Sequence, residues 1–371
     1  MNSPARWAFR WMTRLLGLGA VVFVLLELSA RIYLFGWAGL VPSKINSVHG
    51  LLQTGYVQSS PAARLGFEFK PNVDGYFKLV PFRTNSRGLR DREYEPRKPE
   101  NTFRVALLGS SFALPAGVSI ERAFHSLLEE RLSGETRYEF INFAVGMYHP
   151  RQSVAMLELR ALDYDPDLVL FTLTRLATPP LVGLPSAQAP GGERAKLPAF
   201  RKSYPILQSF LFRLLSQRSG SDPRTPRVHV GVIEGLFIAF VERWFPAAET
   251  RPSPGAGPAR AGGHVSEDPA DDAILERLAG IGRQTGIPIV VLRLEFEDTA
   301  PLTADLEVAA RCRSLGLHYI DTRHAFRGTR ASDFWIYELD PPPNWQAHEI
   351  FAREVASFLR SHGLVSAQLP Q

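Results

Sequence analysis

A serine that could act as a nucleophile stands directly after an apolar segment of the kind that forms buried strands. Ser111 belongs to the stretch Gly109–Phe112 (GSSF), which follows the segment Arg104–Leu108. A serine on a sharp strand-to-helix turn projects its hydroxyl from the carboxyl edge of a parallel sheet, where α/β enzymes place their active sites. The pattern makes Ser111 the first candidate for a nucleophile.

A polar stretch upstream of that strand is the second candidate for a functional element. Thr84–Asp91 reads TNSRGLRD, and it admits two interpretations. Arg90 and Asp91 could brace the domain, or they could contact an anionic group of a substrate. Gly88 close to Asn85 is ordinary turn chemistry, which favours the bracing role.

These two stretches together resemble the SGNH, or GDSL, hydrolase superfamily, in particular a membrane-anchored bacterial branch with an Asn-Ser-x-Gly-x-Arg-Asp motif before the nucleophile. The nucleophile block of that branch reads Gly-Asp-Ser-Phe-x-x-Gly-x-Gly-Val, whereas Gly109–Val118 reads GSSFALPAGV, with Ser110 in place of the aspartate. The likeness extends from about Leu65 to Leu359 around a divergent middle. It implies a flavodoxin-like three-layer α/β sandwich and a relationship to enzymes that cleave or transfer acyl groups on esters, often acetyl groups on extracellular glycans.

The resemblance also implies donors for the tetrahedral oxyanion that forms during ester cleavage. One is the backbone N–H of Ser111. A second is normally a glycine in an Asn-x-x-x-x-Gly stretch, and the matching sequence NFAVGM places Met147 at that glycine. A methionine N–H can serve there if the local backbone does not require glycine. The third is normally an asparagine after Pro-Asp-Leu-Val; none follows Pro166–Val169, which leaves Thr174 or Arg175 as substitutes.

The general base of the family is missing from its usual position. The family reads Asp-x-(x)-His-Pro-Asn before the last helix, whereas Asp340–His348 reads DPPPNWQAH, with proline where the histidine is expected. Proline cannot accept a proton, so of this pair only the acid Asp340 is retained. His348 matches a second histidine of the family that opens the last helix, and it is the first candidate for a substitute base; His149 is a weaker one.

Two classes of function therefore remain open. Other residues stand at the glycine, asparagine and histidine positions of the family. Loss of the base alone lowers the turnover of a serine hydrolase by several orders of magnitude. This favours a non-catalytic relative that binds a glycan or scaffolds a polysaccharide assembly or export complex. The alternative is an active serine esterase or O-acetyltransferase that acts on an extracellular polysaccharide or lipid through Ser111.

The elements that must position these residues alternate between short apolar strands and amphipathic helices. Such alternation predicts an α/β fold, a three-layer sandwich with a central parallel sheet and helices on both faces. The predicted strands are Arg104–Leu108, Tyr138–Phe143, Leu168–Leu173, Ile287–Leu292 and His318–Asp321. The predicted helices are Ala123–Leu132, Arg151–Leu162, Asp271–Thr285, Thr303–Leu315 and Ala347–Arg360. The expected C-cap residues are Gly286, Gly316 and Gly363.

The amino-terminal region is predicted to cross a membrane. Leu15–Leu26 is almost wholly apolar, and apolar flanks extend it to a transmembrane helix over Met12–Phe35. The nearby basic residues are Arg6, Arg10 and Arg14 on the amino-terminal side and Lys44 after the helix. By the positive-inside rule, this predicts a single-pass protein of the inner membrane whose carboxyl-terminal domain faces the periplasm or the cell exterior.

Two details of this segment have alternatives. A cleaved signal peptide, with a poor cleavage site at Leu28–Ala30, competes with the anchor, but apolar residues resume after Arg31. Glu27 and Arg31 stand four residues apart, and a simple ion pair near the outer interface is favoured over a functional charge within the membrane.

The regular alternation breaks between Pro179 and Pro269, where glycine, proline, serine and arginine cluster. Two amphipathic helices are predicted there, around Leu207–Leu215 and Ile233–Trp244. They either pack onto the sheet domain, which is the simpler interpretation, or form a lid, a membrane surface or a partner surface. The predicted division is a cytoplasmic segment 1–11, an anchor 12–35, an extended lead-in 36–100, a first half-domain 101–180, a helical insertion 181–270 and a second half-domain 271–371.

Composition argues against several other classes. With 371 residues, of which 45% are hydrophobic, the chain can bury a substantial core. Cys312 is the only cysteine, so no internal disulfide can form. The net charge is +5, but no run of lysines or arginines has aromatic residues between them. Nucleic acid is therefore not an expected partner. No metal-binding or phosphate-loop motif suggests a cofactor. The expected partners are the membrane, a glycan or acyl-ester substrate, and a polysaccharide assembly complex.

Overall fold

The computed structural model describes residues 4–45, 51–134, 136–173, 269–296, 303–337 and 340–365. Within these residues the chain forms two compact units, one that contains the amino-terminal helix and one that begins at Ala38. The amphipathic helices predicted around 207–215 and 233–244, and nearly all of the predicted insertion, lie outside the described residues.

The amino-terminal helix, α1, occupies Pro4–Phe35. By length and composition, the segment Phe9–Leu40 is apolar enough to cross a membrane, in agreement with the predicted span. Nε of Arg31 donates to a carboxylate oxygen of Glu27 at 2.9 Å, so the predicted ion pair is present. A short helix, α2 (Pro42–Ile45), begins soon after α1 ends.

The lead-in to the sheet is built from two pairs of short antiparallel strands. These are β1 (Val57–Ser59) with β2 (Phe67–Phe69) and β3 (Asp74–Phe77) with β4 (Val80–Arg83). Their apolar side chains, including the fully buried Phe67 and Phe82, belong to the same core as the central sheet.

Five parallel strands form the central sheet of the second unit. They are β5 (Thr102–Leu108), β6 (Arg137–Asn142), β7 (Leu168–Thr172), β8 (Ile289–Arg293) and β9 (His318–Asp321). Their spatial order is β6-β5-β7-β8-β9, which is the flavodoxin-like order of a doubly wound sheet. Each predicted strand is present, and the bounds differ by at most two residues. The predicted fold class is therefore confirmed.

Helices pack on this sheet. They are α3 (Phe124–Leu132), α4 (Pro150–Met156), α5 (Pro269–Thr285), α6 (Thr303–Ser314) and α7 (Trp345–Ser361). Helix α3 packs against α7 and helix α4 against α5, while every residue of β7 and β8 is buried. Strands buried along their whole length are covered on both faces, which gives the three layers that the sequence predicts. A hairpin of β10 (Trp335–Tyr337) and β11 (Asp340–Pro343) leads into α7.

The helix predicted over Arg151–Leu162 is shorter than expected. After α4 ends at Met156, the chain continues through a π-helical turn at Leu157–Ala161 and a 3-10 turn at Leu162–Tyr164. Asp165 then has a left-handed backbone with φ of 50°. Because Pro166 disfavours a helical conformation in the residue before it, the helix cannot continue.

Side chains outside the sheet form hydrogen bonds with backbone groups on the outer edge of β6. Asp91 accepts the N–H of Asn142 at 2.9 Å, and Glu129 accepts the N–H of Phe140 at 3.0 Å. The hydroxyl of Tyr94 donates to the carbonyl of Phe140 at 3.3 Å. Unpaired backbone N–H and C=O groups on an edge strand can form hydrogen bonds with a strand of another chain. Here these side chains occupy such groups of β6.

Candidate active site

Ser111 lies where the sequence predicts it, at the carboxyl edge of the sheet directly after β5. The carbonyl of Ser110 accepts the N–H of Leu114 at 2.9 Å, which closes a sharp turn around Ser111. Gly109 begins this turn with φ of 157°, and a Cβ there would come within 1.7 Å of Oγ1 of Thr172. The turn that presents Ser111 therefore requires glycine at its start.

The hydroxyl of Ser111 is half-buried, and it makes no hydrogen bond to any residue that the structure describes. The neighbouring Phe112 stacks on Phe296, which follows β8, with ring centroids 5.7 Å apart. No histidine in the described ranges donates to or accepts from Ser111. A nucleophilic serine needs a base within hydrogen-bond reach, so the described part of the site lacks the usual relay.

The backbone of Met147 has a left-handed conformation that glycine adopts without strain. Tyr148 donates its N–H to the carbonyl of Val145 at 3.2 Å, and Met147 has φ of 71° at the third position of this turn. That position of a type II turn normally takes glycine. Within the described residues, neither the N–H of Ser111 nor that of Met147 makes a hydrogen bond, so both remain available to an oxyanion. The third candidate donor, Thr174, lies outside the described residues.

His348 is not at the surface of the site but inside the protein. It is fully buried, its ring centroid is 5.9 Å from that of Phe124, and its Nδ1 accepts the N–H of Phe124 at 3.2 Å. Burial, followed by the nearby Arg90 guanidinium, lowers the pKa of His348 to about 3, so the ring is neutral at physiological pH. A neutral imidazole has one acceptor nitrogen, and Phe124 occupies it. In this arrangement His348 cannot accept a proton from Ser111.

The weaker base candidate is also engaged elsewhere. Nδ1 of His149 accepts the N–H of Arg151 at 3.2 Å, while the side chain of Gln152 accepts the N–H of His149 at 3.0 Å. These reciprocal bonds form a capping box at the start of α4. His149 therefore has a structural role in this arrangement.

The segment that contains Asp340 lies beside the loop that follows Ser111. Asp340 begins β11 and pairs with Tyr337 of β10. In the same hairpin, the side chain of Ile336 packs so closely on Gly117 that a Cβ there would come within 2.6 Å of it. The chain thus brings the loop after Ser111 and the hairpin that contains Asp340 together.

Arg90 braces the nucleophile loop from within. Its side chain is buried, and its guanidinium donates to the carbonyls of Pro115 and Val118, the latter at 2.9 Å, while it lies 4.8 Å from the ring centroid of Phe82. Burial lowers the pKa of Arg90 to about 9, which still leaves it charged at physiological pH. A buried guanidinium bonded to loop carbonyls cannot reach a substrate. The bracing interpretation of this motif is confirmed.

Asp91 belongs to a buried polar network that sequence reasoning missed. Besides the N–H of Asn142, it faces Nε2 of His125 at 3.7 Å. The Asn142 amide donates to the carbonyl of Ala113 at 3.0 Å and lies 3.2 Å from Nδ1 of His125. Burial raises the pKa of Asp91 to about 7 and lowers that of His125 to about 3. The network joins the edge strand β6 to the turn after Ser111.

Metal binding has no basis in the described ranges. Among them, no group of three or more histidine, cysteine, aspartate and glutamate side chains could hold an ion. The buried Cys312 has its pKa raised to about 12 by burial, so its thiol is protonated at physiological pH.

By sequence, no family profile and no curated protein matches the chain. Solved structures do match. A GDSL-like lipase from Bacteroides thetaiotaomicron has 6% identity over 70% of this chain and 88% of its own, with a TM-score of 0.33. A lipase/acylhydrolase from Enterococcus faecalis has 10% identity over 72% of this chain and 100% of its own, with a TM-score of 0.36. A variant of an acetyl-xylooligosaccharide esterase from Geobacillus has 13% identity over 70% of this chain and 93% of its own, with a TM-score of 0.34.

At these identities and scores, the fold assignment rests on the chain's own strand order and motif positions. Ser111 follows β5, Met147 follows β6, and Asp340–His348 leads into α7. This order and these positions agree with the flavodoxin-like sandwich that the resemblance to SGNH hydrolases predicts. Substrate and activity do not follow from the fold.

Proposed function

We propose that this chain is a single-pass protein of the inner membrane with an impaired SGNH-hydrolase-like domain in the periplasm or at the cell exterior. There it binds a cell-envelope glycan or scaffolds a polysaccharide assembly or export complex. The observation that carries the proposal is the position of His348, whose acceptor nitrogen is occupied by Phe124. Proline stands in place of the usual base, and no described residue accepts a hydrogen bond from Ser111.

An active serine esterase or O-acetyltransferase is the second candidate. It is favoured by the half-buried Ser111 and by the unused N–H groups of Ser111 and Met147, which are what an oxyanion needs. An oxyanion site without a base retains binding capacity for a carbonyl or acetyl group. The same geometry is therefore useful to a protein that recognises acylated glycans without cleaving them.

The function is tested on the full chain in nanodiscs. We expect wild type and Ser111→Ala to bind isolated envelope polysaccharide equally, and we expect no Ser111-dependent hydrolysis of 4-nitrophenyl acetate. Hydrolysis by the wild type that disappears in Ser111→Ala would overturn the proposal in favour of the esterase. Failure to retain any envelope polysaccharide would exclude the glycan-binding role and leave the scaffold, which co-purification of assembly components tests.

The orientation is a separate part of the proposal, and the arginines before the membrane helix support it. Alkaline phosphatase fused after Gln371 is active only outside the cytoplasm, so the fusion is expected to be active. An inactive phosphatase fusion together with an active β-galactosidase fusion at the same position would contradict the orientation.

A further inference from the structure

An exposed arginine and an exposed tryptophan lie against each other where α3 and α7 begin. The guanidinium carbon of Arg122 is 4.7 Å from the ring centroid of Trp345. Trp345 is 47% exposed. Among the residues that the structure describes, none makes a side-chain hydrogen bond or ion pair with Arg122. A guanidinium stacked on an indole is oriented by the ring, and it keeps its N–H groups for a ligand.

This pair lies at the same edge of the sheet as Ser111. Helix α3 connects the parallel strands β5 and β6, so it must begin at the carboxyl edge, and Arg122 lies two residues before its first residue. The bond from Phe124 to His348 joins the start of α3 to the first turn of α7. Trp345 opens α7, and it is therefore held at that edge as well.

Local hydrogen bonds fix the backbone that carries both residues, and the contact between guanidinium and ring is the described contact of their side chains. Asn344 caps α7, accepts the N–H of Gln346 at 3.0 Å and donates to the carbonyl of Asp333 at 3.0 Å. The N–H of Arg122 donates to the carbonyl of Ser119 at 3.1 Å in a 3-10 turn. Preorganised groups lose little conformational entropy when a ligand binds.

Exposed apolar surface is concentrated at this edge. Beyond Val41, the large apolar side chains that the structure describes as exposed are Met147, Leu306 and Trp345. Met147 follows β6, Trp345 opens α7, and Leu306 lies in the first turn of α6, which connects the parallel strands β8 and β9. All three therefore lie at the carboxyl edge, with Met147 and Trp345 on elements next to Ser111 or to Arg122. An exposed aromatic beside an unpaired cation is typical of a binding surface rather than of a solvated face.

We propose that Arg122 and Trp345 form a subsite for an acidic sugar unit of a polysaccharide. The guanidinium binds the sugar carboxylate through paired N–H groups, and the indole packs against the apolar face of the ring. His348 and Asn344 position the pair. This inference rests on the proposed glycan-binding function, and it names the class of glycan.

The test uses the full chain in nanodiscs and an array of uronate oligosaccharides, each with its fully methyl-esterified form. Esterification keeps the rings and removes the charges. We expect the acidic forms to bind, with Kd weakened about tenfold by esterification and about tenfold or more by Arg122→Gln. Trp345→Ala is expected to weaken both forms. The matched controls on α6, Arg313→Gln and Leu306→Ala, should bind as the wild type does.

The outcomes separate this subsite from the general function. Equal binding of acidic and esterified forms, unchanged in Arg122→Gln and Trp345→Ala, overturns the subsite and keeps the proposed glycan-binding role. If Trp345→Ala weakens binding and Arg122→Gln does not, the acidic-sugar assignment is overturned. Binding of neither form, in protein shown to be folded by its tryptophan fluorescence, overturns both.

Discussion

The backbone N–H of Phe124 donates to Nδ1 of His348 at 3.2 Å, between residues 224 positions apart in the sequence. His348 matches a histidine that opens the last helix in the resembled family, and here it ties that helix to the start of α3. The bond is buried, so each partner depends on the other for a hydrogen bond. Its loss would free the two helix starts that lie beside Ser111.

Replacing His348 by leucine is expected to destabilise the domain. The substitution leaves the N–H of Phe124 buried without an acceptor, which costs about 1–3 kcal/mol. Urea unfolding followed by tryptophan fluorescence measures the change. The exposed His324 provides the control, because His324→Leu should cost less than half as much. Equal effects of the two substitutions would show that the buried bond has no special importance.

The buried histidines also predict sensitivity to acid. Their pKa values are depressed from 6.5 to about 3 in the folded state, mainly by desolvation. The stability that they contribute is therefore present above pH 6.5, and it is lost as the pH falls from 6.5 toward 3. In His348→Leu, the free energy of unfolding should fall less steeply over this range than in the wild type. Parallel curves would rule out a protonation-linked loss at His348.

Asp91 should act in the opposite direction. Desolvation raises its pKa from 3.8 to about 7, although Asn142, Tyr94 and Arg92 favour the charged form. A raised pKa gives stability that is present below pH 3.8 and lost as the pH rises through 7. Asp91→Asn keeps an oxygen for the N–H of Asn142 and has no charge to desolvate. The difference in urea midpoint between Asp91→Asn and the wild type should grow in favour of the variant as the pH is raised from 5 to 8.5. A difference that does not change with pH would contradict the raised pKa of Asp91.

The left-handed backbone of Met147 predicts a stabilising substitution. Holding an L-residue there costs about 1–2 kcal/mol, whereas glycine adds about 0.5–1 kcal/mol of backbone entropy to the folding cost. Met147→Gly should thus gain about 0.5–1 kcal/mol in thermal or urea unfolding. Met147→Ala is the matched control, since it shortens the side chain and keeps the strain. A gain of the same size in both variants would assign the effect to the side chain instead.

The sequence predicts the sheet well because its signals are local. Each buried strand is a short apolar run, and a parallel sheet covered on both faces needs such runs. The position of Ser111 follows from the same pattern, since the turn after β5 requires Gly109. The end of the helical segment at Tyr164 follows from Pro166, whereas no local signal marks the π-helical turn at which α4 ends.

The roles of the polar residues could not be predicted in the same way. Asp91 and Asn142 are 51 positions apart in the sequence, and His348 and Phe124 are 224 positions apart. Both contacts therefore depend on the packing of the complete domain. A histidine in an amphipathic helix has the same appearance in sequence whether it faces a serine or a backbone N–H. His125 carried no recognisable signal for this reason.

A fluorophosphonate probe labels only activated serines, so it shows whether Ser111 has a base. The full chain in nanodiscs is incubated with the probe beside Ser111→Ala and an active serine hydrolase. We predict no Ser111-dependent labelling of the folded protein. Labelling that disappears in Ser111→Ala would show that another residue activates the serine and that the site is not impaired.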